Sequence, residues 1–352
     1  MTLTDLRLPE FRRGVFHKFY QFHLKYKSHP GCVYYLIPHL KKSFSWTQEQ
    51  VMWFTYLNGN TQNPVTSLTI ANHFPNPGNL DGLDIWFNTN YDRIHFDFDR
   101  RYQKKDFLKS VQWFTNTSRH WEVWEDLSTQ GFARTWEKAK SIPSFGRLSA
   151  FSFLEYQRIA GIPIEIDTLF LRDLSGSKSH RNGLCKVLGH DELDWHSSNP
   201  NFNGKYSAKT LDWLEVEGET LLTEAKTIAE KTGYEDEVHY FTLESALCTY
   251  KSWFRPNRRY PNVYNDMLYY RIKEAEKTWP EENFSVFWKA RKETLSPNLR
   301  LEDSPYDPGL CRQKQNHFRE SGQVIMMDRD YPEFKNDFND LINNKQFPLR
   351  KS

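Results

Sequence analysis

One carboxylate stands out as a candidate for chemistry, because it follows a tight turn and a helix within a single segment. The turn, Ile142-Pro143-Ser144-Phe145-Gly146, predicts positive φ at Gly146 and a helix that opens at Arg147. Helix N-terminal N–H groups favour anions, so Gly146 and Arg147 are predicted to bind a backbone phosphate. The helix leads to Asp167, set among isoleucines, where a carboxylate is functional, paired or a helix cap. A plain helix turn with a capping aspartate is the alternative.

Four side chains that can hold an anion follow in the next segment. The segment from Leu174 to Leu184 reads as a small-residue loop that enters a second helix. Backbone amides and cationic side chains in such loops bind phosphates. The donors are Lys178, His180, Arg181 and Asn182. The spacing of a nucleotide-binding P-loop is absent, and a solvated turn is the alternative.

A third group lies on a predicted helix from Thr242 to Lys251. Glu244, Cys248 and Lys251 share one face of it, since they are spaced by one helical turn. A basic and aromatic cluster follows, of the kind that contacts a phosphodiester backbone or stacks on a base. Its members are Arg255, Arg258, Arg259 and Tyr260. A solvated run of charges is the alternative.

Amide side chains concentrate in the N-terminal third, ahead of a proline. They are Asn58, Asn60, Gln62 and Asn63. Amides pair with the edge of a base, but they also cap helices and turns. The segment therefore predicts either a base pocket or a helix junction.

The cysteines predict no metal site. Cys32, Cys185, Cys248 and Cys311 are far apart, without a CxxC pair or zinc-type spacing. Only a site assembled from distant residues stays open. We expect no metal and no cofactor.

Apolar residues recur at helical spacing through most of the first half of the chain, which predicts helices there. We expect these helices to position the candidate residues. The predicted helices include Thr47 to Leu57, Pro64 to His73, His120 to Lys140 and Arg147 to Ile159. Alternation from Ile94 to Asp99 predicts a short strand. We expect an all-α fold with minor β content, divided into a helical domain over residues 1–195 and a second helical subdomain over residues 196–352.

Composition narrows the class of protein further. The chain has 352 residues with a net charge of only +2, so a surface for nucleic acid must be a local patch. No apolar run is long enough for a membrane span, and the N-terminus lacks a secretory signal. Aromatic residues make up 16% of the chain, which predicts a core built from rings. Trp53, Tyr260 and Tyr264 are candidates to stack on an extruded base.

The order of these segments resembles two related groups of proteins. Residues 142–150 followed by Asp167 resemble the hairpin and aspartate of helix-hairpin-helix DNA glycosylases, with Ser144 in place of the first hairpin glycine and Leu148 in place of the lyase lysine. Together with Asn58–Pro64, Ser175–Leu184 and the Glu244-x-x-x-Cys248 helix, the chain is similar to phage α-glutamyl/putrescinyl thymine pyrophosphorylases and amino acid:DNA transferases. The resemblance covers roughly residues 11–328.

That resemblance implies an enzyme that modifies thymine-derived bases in DNA. A flipped 5-(pyrophosphoryloxymethyl)uracil would receive an amino acid or polyamine at its methylene, with release of pyrophosphate. Asp167 or Glu244 would accept the proton of the amine. Lys178, His180, Arg181 and Asn182 would bind pyrophosphate. The amide segment, Cys248, Lys251 and Tyr260 would line the base and amine pocket, while Gly146, Arg147, Arg255, Arg258 and Arg259 would contact the DNA backbone.

The same resemblance sets expectations about partners and location. The partners are double-stranded DNA carrying modified uracil and a small amine or amino acid, and the protein is expected to be a monomer in the cytoplasm of an infected bacterial host. A monofunctional DNA glycosylase acting on a modified base is the second reading. A non-catalytic DNA-binding protein is the third.

Overall fold

The fold is helical throughout the residues that the computed structural model describes, which are 8–25, 27, 33–97, 101–174, 178–194, 205–254, 267–295 and 300. The α-helices are α1 (Pro9–Lys25), α2 (Val33–Ser43), α3 (Gln48–Thr61), α4 (Pro64–His73), α5 (Leu83–Thr89), α6 (Arg101–Lys105), α7 (Phe107–Thr115), α8 (His120–Thr129), α9 (Phe132–Lys140), α10 (Arg147–Ala160), α11 (Lys178–Val187), α12 (Ala208–Glu230), α13 (Tyr240–Tyr250), α14 (Met267–Thr278) and α15 (Ser285–Thr294). Short 3-10 helices lie at Tyr91–Arg93, Asp191–Leu193, Glu235–Glu237 and Lys251–Phe254. The predicted all-α class is confirmed.

The strand predicted from Ile94 is wrong over residues 94–97, the part of it that the structure describes. The Asp97 N–H donates to the carbonyl of Thr61, and the carbonyl of His95 accepts from the Thr66 hydroxyl. These backbone groups bond to the junction between α3 and α4 instead of to a partner strand. Ile94 is buried, whereas His95, Phe96 and Asp97 are all half-buried, so burial does not alternate over these residues.

The contacts group the chain into two compact units, each assembled from separate segments. The first unit comprises residues 1–30, 168–266 and 296–352, and the second comprises residues 31–167 and 267–295. Such discontinuous units depend on packing between distant segments. The domain boundary expected at residue 195 stays a prediction.

In the second unit, α3 packs against α10 and α4. Trp53 and Tyr56 on α3 are fully buried, and the Phe153 ring of α10 meets Tyr56 edge to face. A buried aromatic side chain removes a large apolar area from water, which stabilises this packing. The prediction of a core built from rings is confirmed. Trp53, expected to stack on a base, is instead a core residue whose indole N–H donates to the Phe74 carbonyl at 2.9 Å.

In the first unit, α11 and α13 pack together, and α1 lies against both and against α12. The buried rings Phe16, Phe19 and Tyr250 pack between α1 and α13. Close packing of α11 on α13 depends on Gly183. A Cβ at that position would lie 2.2 Å from the Leu247 carbonyl oxygen, so a larger residue forces the helices apart.

Local capping chemistry explains where several helices begin and end. Thr47 and Gln50 form a capping box at the start of α3. The single helix expected from His120 to Lys140 is two helices, α8 and α9, because Gly131 takes φ of 97° between them. None of the helices in the described ranges has the length and apolar character of a membrane span.

Candidate active site

The turn that precedes α10 has the expected shape, but a different residue bears the positive φ. Ser144 has φ of 66°, whereas Gly146 is extended, with φ of −74° and ψ of −177°. The Ser144 hydroxyl donates to Asp106 Oδ2 at 2.8 Å, which anchors the left-handed residue. The expectation of positive φ at Gly146 is therefore wrong. Ser144, which replaces the first hairpin glycine, adopts the conformation that glycine usually supplies.

Gly146 is the N-cap of α10 and is exposed, with no side chain to cap the helix. A Cβ on Gly146 would meet no atom within 4 Å. Arg147 is half-buried, with its guanidinium carbon 5.6 Å from the Phe151 ring centre, and Leu148 is 52% exposed. The fold itself therefore places no demand for glycine at position 146, which lies at an exposed turn.

Asp167 lies in a non-helical segment, residues 162–169, whose side chains alternate between core and solvent. Ile162, Ile164 and Ile166 are buried, whereas Asp167 is exposed. Arg158 anchors this segment by donating to the Ile164 carbonyl at 2.7 Å. The expectation that isoleucines enclose Asp167 is wrong, because side chains of an extended chain point alternately to opposite sides. The catalytic role of Asp167 stays a prediction. Because this carboxylate is exposed, a substrate can reach it.

The amide segment forms the junction between α3 and α4. Gln62 ends α3 with φ of 53°, and Asn63 caps α4 by accepting from the backbone N–H groups of Val65 and Thr66. Gln62 also accepts a hydrogen bond of 3.0 Å from the buried Tyr156 hydroxyl. Gln62 and Asn63 therefore form a helix junction, which is one of the two alternatives predicted for this segment.

The two asparagines within α3 are buried in its packing. Asn60 donates to the Tyr56 carbonyl at 3.1 Å, and Asn58 accepts from Ser67 at 3.5 Å. Both are essentially without exposed surface. Contact of Asn58 and Asn60 with a base or an amine stays a prediction, and their present neighbours are protein groups.

Asn63 also lines a small cleft of the second unit, next to an ion pair that sequence reasoning missed. Its amide donates to Asp97 Oδ1 at 3.3 Å, and Asp97 accepts from Arg271 of α14. Burial raises the pKa of Asp97 more than Arg271 lowers it. Thr66, Glu274 and Trp279 are among the other lining residues. No short motif links Asp97 to Arg271, so only their proximity reveals the pair.

In the first unit, the predicted anion-binding residues begin α11 and do not share one environment. Lys178 is exposed, whereas His180, Arg181 and Asn182 are buried. Arg181 donates to the Leu171 carbonyl at 2.9 Å, and its guanidinium lies 4.9 Å from the Tyr206 ring centre. The expectation of a loop is wrong over residues 178–184, which are helical. Residues 175–177 lie outside the described part of the chain.

The predicted face of α13 is confirmed as a shared face, and it meets α11. Glu244 Oε1 lies 2.9 Å from His180 Nδ1, and Cys248 lies one turn further along α13. The ligand atoms of His180, Glu244 and Cys248 are all within 4.8 Å of one another. Lys251 donates to the Ser179 hydroxyl on α11. Two segments singled out separately by the sequence thus form one cluster, which we call the His180 cluster.

The backbone carbonyl of Leu169 completes this cluster, at 2.6 Å from His180 Nε2. Because a carbonyl only accepts, Nε2 carries a hydrogen and Nδ1 faces Glu244. Sequence reasoning missed Leu169 and Ser179, since a backbone group and a common serine leave no motif. Gly183, by contrast, could have been recognised in the sequence, because an isolated glycine within a helix indicates close packing.

The predicted basic and aromatic cluster, with Arg255, Arg258, Arg259 and Tyr260, lies outside the described residues, as does Tyr264. The roles predicted for them stay predictions.

The protein is thus helical, with two candidate sites. The second unit has the exposed turn at Gly146 before α10, and the first unit has the buried His180 cluster. The family model described as amino acid:DNA transferase matches residues 33–259, and the chain belongs to this family. The sequence prediction is confirmed at this level: the class of enzyme is a transferase, and its family modifies DNA.

A curated relative agrees with this membership. The chain is 28% identical over 323 residues to a protein named serinyltransferase from Salmonella phage ViI, covering 86% of this chain and 78% of the relative. The phage origin of that relative fits the predicted source. No solved structure matches the chain.

Proposed function

We propose that this protein transfers an amino acid to 5-(pyrophosphoryloxymethyl)uracil in phage DNA and releases pyrophosphate. Membership of the amino acid:DNA transferase family supports transfer of an amino acid to DNA. The observation that carries the proposal is the meeting of α11 and α13, where predicted residues from two distant segments join in the His180 cluster. Serine is the first amino acid to test, because the phage relative is named for it.

The proposed reaction is a displacement at the exocyclic methylene carbon of the base. The amine nitrogen bonds to this carbon while the bond from carbon to the pyrophosphate oxygen breaks, and the electron pair leaves with pyrophosphate. Before this attack, a carboxylate accepts a proton from the incoming ammonium, since only the neutral amine is nucleophilic. We assign this acceptor to Asp167, which is exposed, because Glu244 is buried against His180.

For the leaving group, Lys178 is the proposed direct contact. It is exposed at the first position of α11, where its charge and the helix dipole both favour an anion. Arg181 acts differently in this proposal. Its bonds to backbone carbonyls hold the start of α11 in place, so it positions the site without touching substrate.

For DNA, the turn before α10 is the proposed backbone contact. Gly146 is exposed and the fold does not require glycine there, which fits a site where a phosphate approaches the main chain closely. The target base lies inside the duplex, so the enzyme must flip it out of the stack to reach the methylene. We place this reaction in the cytoplasm of the infected host, where phage DNA is modified.

The decisive experiment is mass spectrometry of nucleosides from pyrophosphorylated DNA incubated with the protein and a panel of amino acids and polyamines. We expect release of pyrophosphate and a nucleoside in which the amino acid replaces the pyrophosphoryloxy group at the methylene, with serine the most effective donor. A free base with an abasic site in the DNA would instead establish a glycosylase. An unchanged nucleoside pool with retained DNA binding would indicate a binding protein.

The proposed role of Asp167 is tested by substitution, with the nearby exposed Glu165 as the matched control. We expect Asp167→Asn to lower the rate of transfer at least about 100-fold, as loss of a general base does, with DNA affinity unchanged. Glu165 is exposed two residues earlier, so Glu165→Gln removes the same charge at a nearby position. Equal rates for the two variants would contradict the assignment.

The DNA contact is tested by Gly146→Ala in a DNA-binding assay. A Cβ meets nothing in the protein, so thermal stability should stay the same while affinity for duplex DNA falls about tenfold or more. Unchanged affinity at unchanged stability would remove Gly146 from the interface.

A further inference from the structure

The side chains of the His180 cluster are also a set of metal-ligand donors, a property that the proposed reaction does not use. It comprises one imidazole nitrogen, one carboxylate oxygen and one cysteine sulfur, all within 4.8 Å of one another. Glu244 and Cys248 are one turn apart on α13, and His180 reaches them from α11. His180 is fully buried and Glu244 is 7% exposed, whereas Cys248 is partly accessible.

The hydrogen bond to Leu169 fixes which atom of His180 faces the cluster. Nε2 donates to the carbonyl at 2.6 Å, so the lone pair of Nδ1 in a neutral ring points toward Glu244 Oε1, 2.9 Å away. Two such acceptors repel each other unless a positive charge lies between them. That charge is either a proton on the pair or a metal ion.

Cys248 distinguishes these two possibilities. A proton links only two atoms, whereas the ligand atoms of all three side chains lie within 4.8 Å of one another. A metal ion uses all three, and a carbonyl that holds the far ring nitrogen is the usual outer contact of a metal-bound histidine. The geometry therefore favours a metal ion.

The chemistry of the donors selects the metal. Thiolate, imidazole and carboxylate together are typical ligands of Zn²⁺, whereas Mg²⁺ and Ca²⁺ prefer oxygen ligands. Three protein ligands leave a fourth position of a tetrahedral zinc ion open, as catalytic zinc sites do. An anionic oxygen, such as one from phosphate or pyrophosphate, fits that open position.

We propose that His180, Glu244 and Cys248 bind a zinc ion whose open position takes a phosphate-type oxygen. Zinc binding itself is independent of the proposed function. The assignment of that oxygen to the pyrophosphate leaving group rests on the proposed function.

The test begins with the full chain, purified without a histidine tag and dialysed against metal-free buffer. We expect about one zinc ion per chain by elemental mass spectrometry, or uptake of one equivalent on titration. Replacement by Co²⁺ should produce the thiolate-to-metal charge-transfer absorption of a cysteine-bound ion. Absence of both zinc uptake and this absorption in the folded protein would overturn the proposal.

Variants assign the ligands. Cys248→Ser should abolish the charge-transfer absorption and lower zinc affinity at least about tenfold, and Glu244→Gln should lower the affinity while keeping the absorption. Cys185→Ala is the matched control, because Cys185 is buried on α11 and lies outside the cluster. Zinc binding by Cys248→Ser that equals that of the wild-type chain would contradict the site, provided that circular dichroism shows both to be folded.

The open position is probed with inorganic phosphate added to the Co²⁺ form. Altered d–d absorption with the thiolate band retained would support an anion on the metal, and an unchanged spectrum would overturn that part. These measurements contain no DNA, so they separate the two proposals. A chain that binds zinc but transfers no amino acid refutes the proposed function alone, and a chain that transfers without binding zinc refutes the metal site alone.

Discussion

The two units of this protein satisfy their buried polar groups by different means. In the first unit, Arg13 of α1 pairs with Glu217 and Glu224 of α12, at 3.0 and 2.8 Å. In the second unit, amides and hydroxyls predominate around α3, for example where Tyr156 donates to Gln62. Buried charges must be paired, whereas neutral amides need only hydrogen bonds. Between α1 and α12 the first unit therefore pairs one buried arginine with two carboxylates, whereas the surroundings of α3 depend on caps and neutral hydrogen bonds. The ion pair of Asp97 with Arg271 is the corresponding charged contact of the second unit.

The pKa shifts of two groups, one in each unit, also differ in origin: that of Glu224 in the first unit arises in an ion-paired cluster, and that of His120 in the second arises from burial. Burial by itself would raise the pKa of Glu224, but hydrogen bonds from His17 and Arg13 outweigh it and lower the pKa to about 2. Burial lowers the pKa of His17, so its ring is neutral at neutral pH and Arg13 is the charged partner. In the second unit, burial lowers the pKa of His120 to about 4.

The largest expected effect contrasts two glycines, one in each unit. Gly183→Ala places a Cβ 2.2 Å from the Leu247 carbonyl oxygen, so α11 and α13 must separate, and we expect a loss of about 3 kcal/mol or more in unfolding free energy. Gly146→Ala meets no atom within 4 Å and should change it by less than about 1 kcal/mol. Urea denaturation followed by circular dichroism measures both. If the two variants lose similar amounts of unfolding free energy, close packing does not distinguish Gly183 from Gly146.

The next effect concerns the buried charges of the first unit. Arg13→Met leaves Glu217 buried without its partner and should cost about 3–5 kcal/mol. Asn63→Ala in the second unit removes a helix cap and should cost about 1 kcal/mol. Arg172→Met is the control, because its pairs with Asp212 and Glu215 are exposed and should not affect stability measurably. If Arg13→Met and Asn63→Ala cost the same, the contrast between the units fails.

Acid should lower the stability of both units below pH 6.5, and that of the first unit over a further, more acidic range. Between pH 6.5 and 4 the unfolded chain binds a proton at His120 that the folded chain does not, so the second unit loses stability as the pH falls through this range. The paired Glu224 has a lowered pKa, so its contribution to the first unit is lost as the pH falls from about 4.5 to 2. His17, whose pKa is also lowered, adds a loss in the first unit below pH 6.5.

Hydrogen exchange of peptides from each unit follows these losses separately. His120→Gln should flatten the pH dependence of the second unit between pH 6.5 and 4, while leaving that of the first unit unchanged. Glu224→Gln should flatten the lower range in the first unit. A second unit whose pH dependence is the same with and without His120 would contradict the assignment.

The smallest effect is expected at the turn before α10. Ser144→Gly relieves a left-handed residue by about 1 kcal/mol and loses the hydrogen bond to Asp106, which is worth about the same, so stability should change by less than about 1 kcal/mol. Ser144→Ala loses the bond and keeps the strain, and it should be less stable than either. Thermal denaturation of the three proteins orders them. An alanine variant as stable as the glycine variant would show that φ at this residue carries no strain.

Local patterns predicted several helices correctly, among them α3, α4 and α10, because their causes are local. The capping box at Thr47 and the proline after Asn63 mark the bounds of α3 and α4 in the sequence itself. The break at Gly131 was not predicted, since a single glycine inside an apolar pattern is compatible with a continuous helix. Family membership likewise followed from the order of the segments, which needs no coordinates.

By itself, the sequence determined the helical class, the family and the residue types at the site. Tertiary structure alone decided which of those residues meet and which reach solvent. His180 joins Glu244 and Cys248 because Gly183 lets α11 and α13 approach, and Asp167 is exposed because the alternation of an extended segment turns it away from Ile166. Local signals set the conformation of short segments, whereas contacts between distant segments depend on the packing of the whole unit.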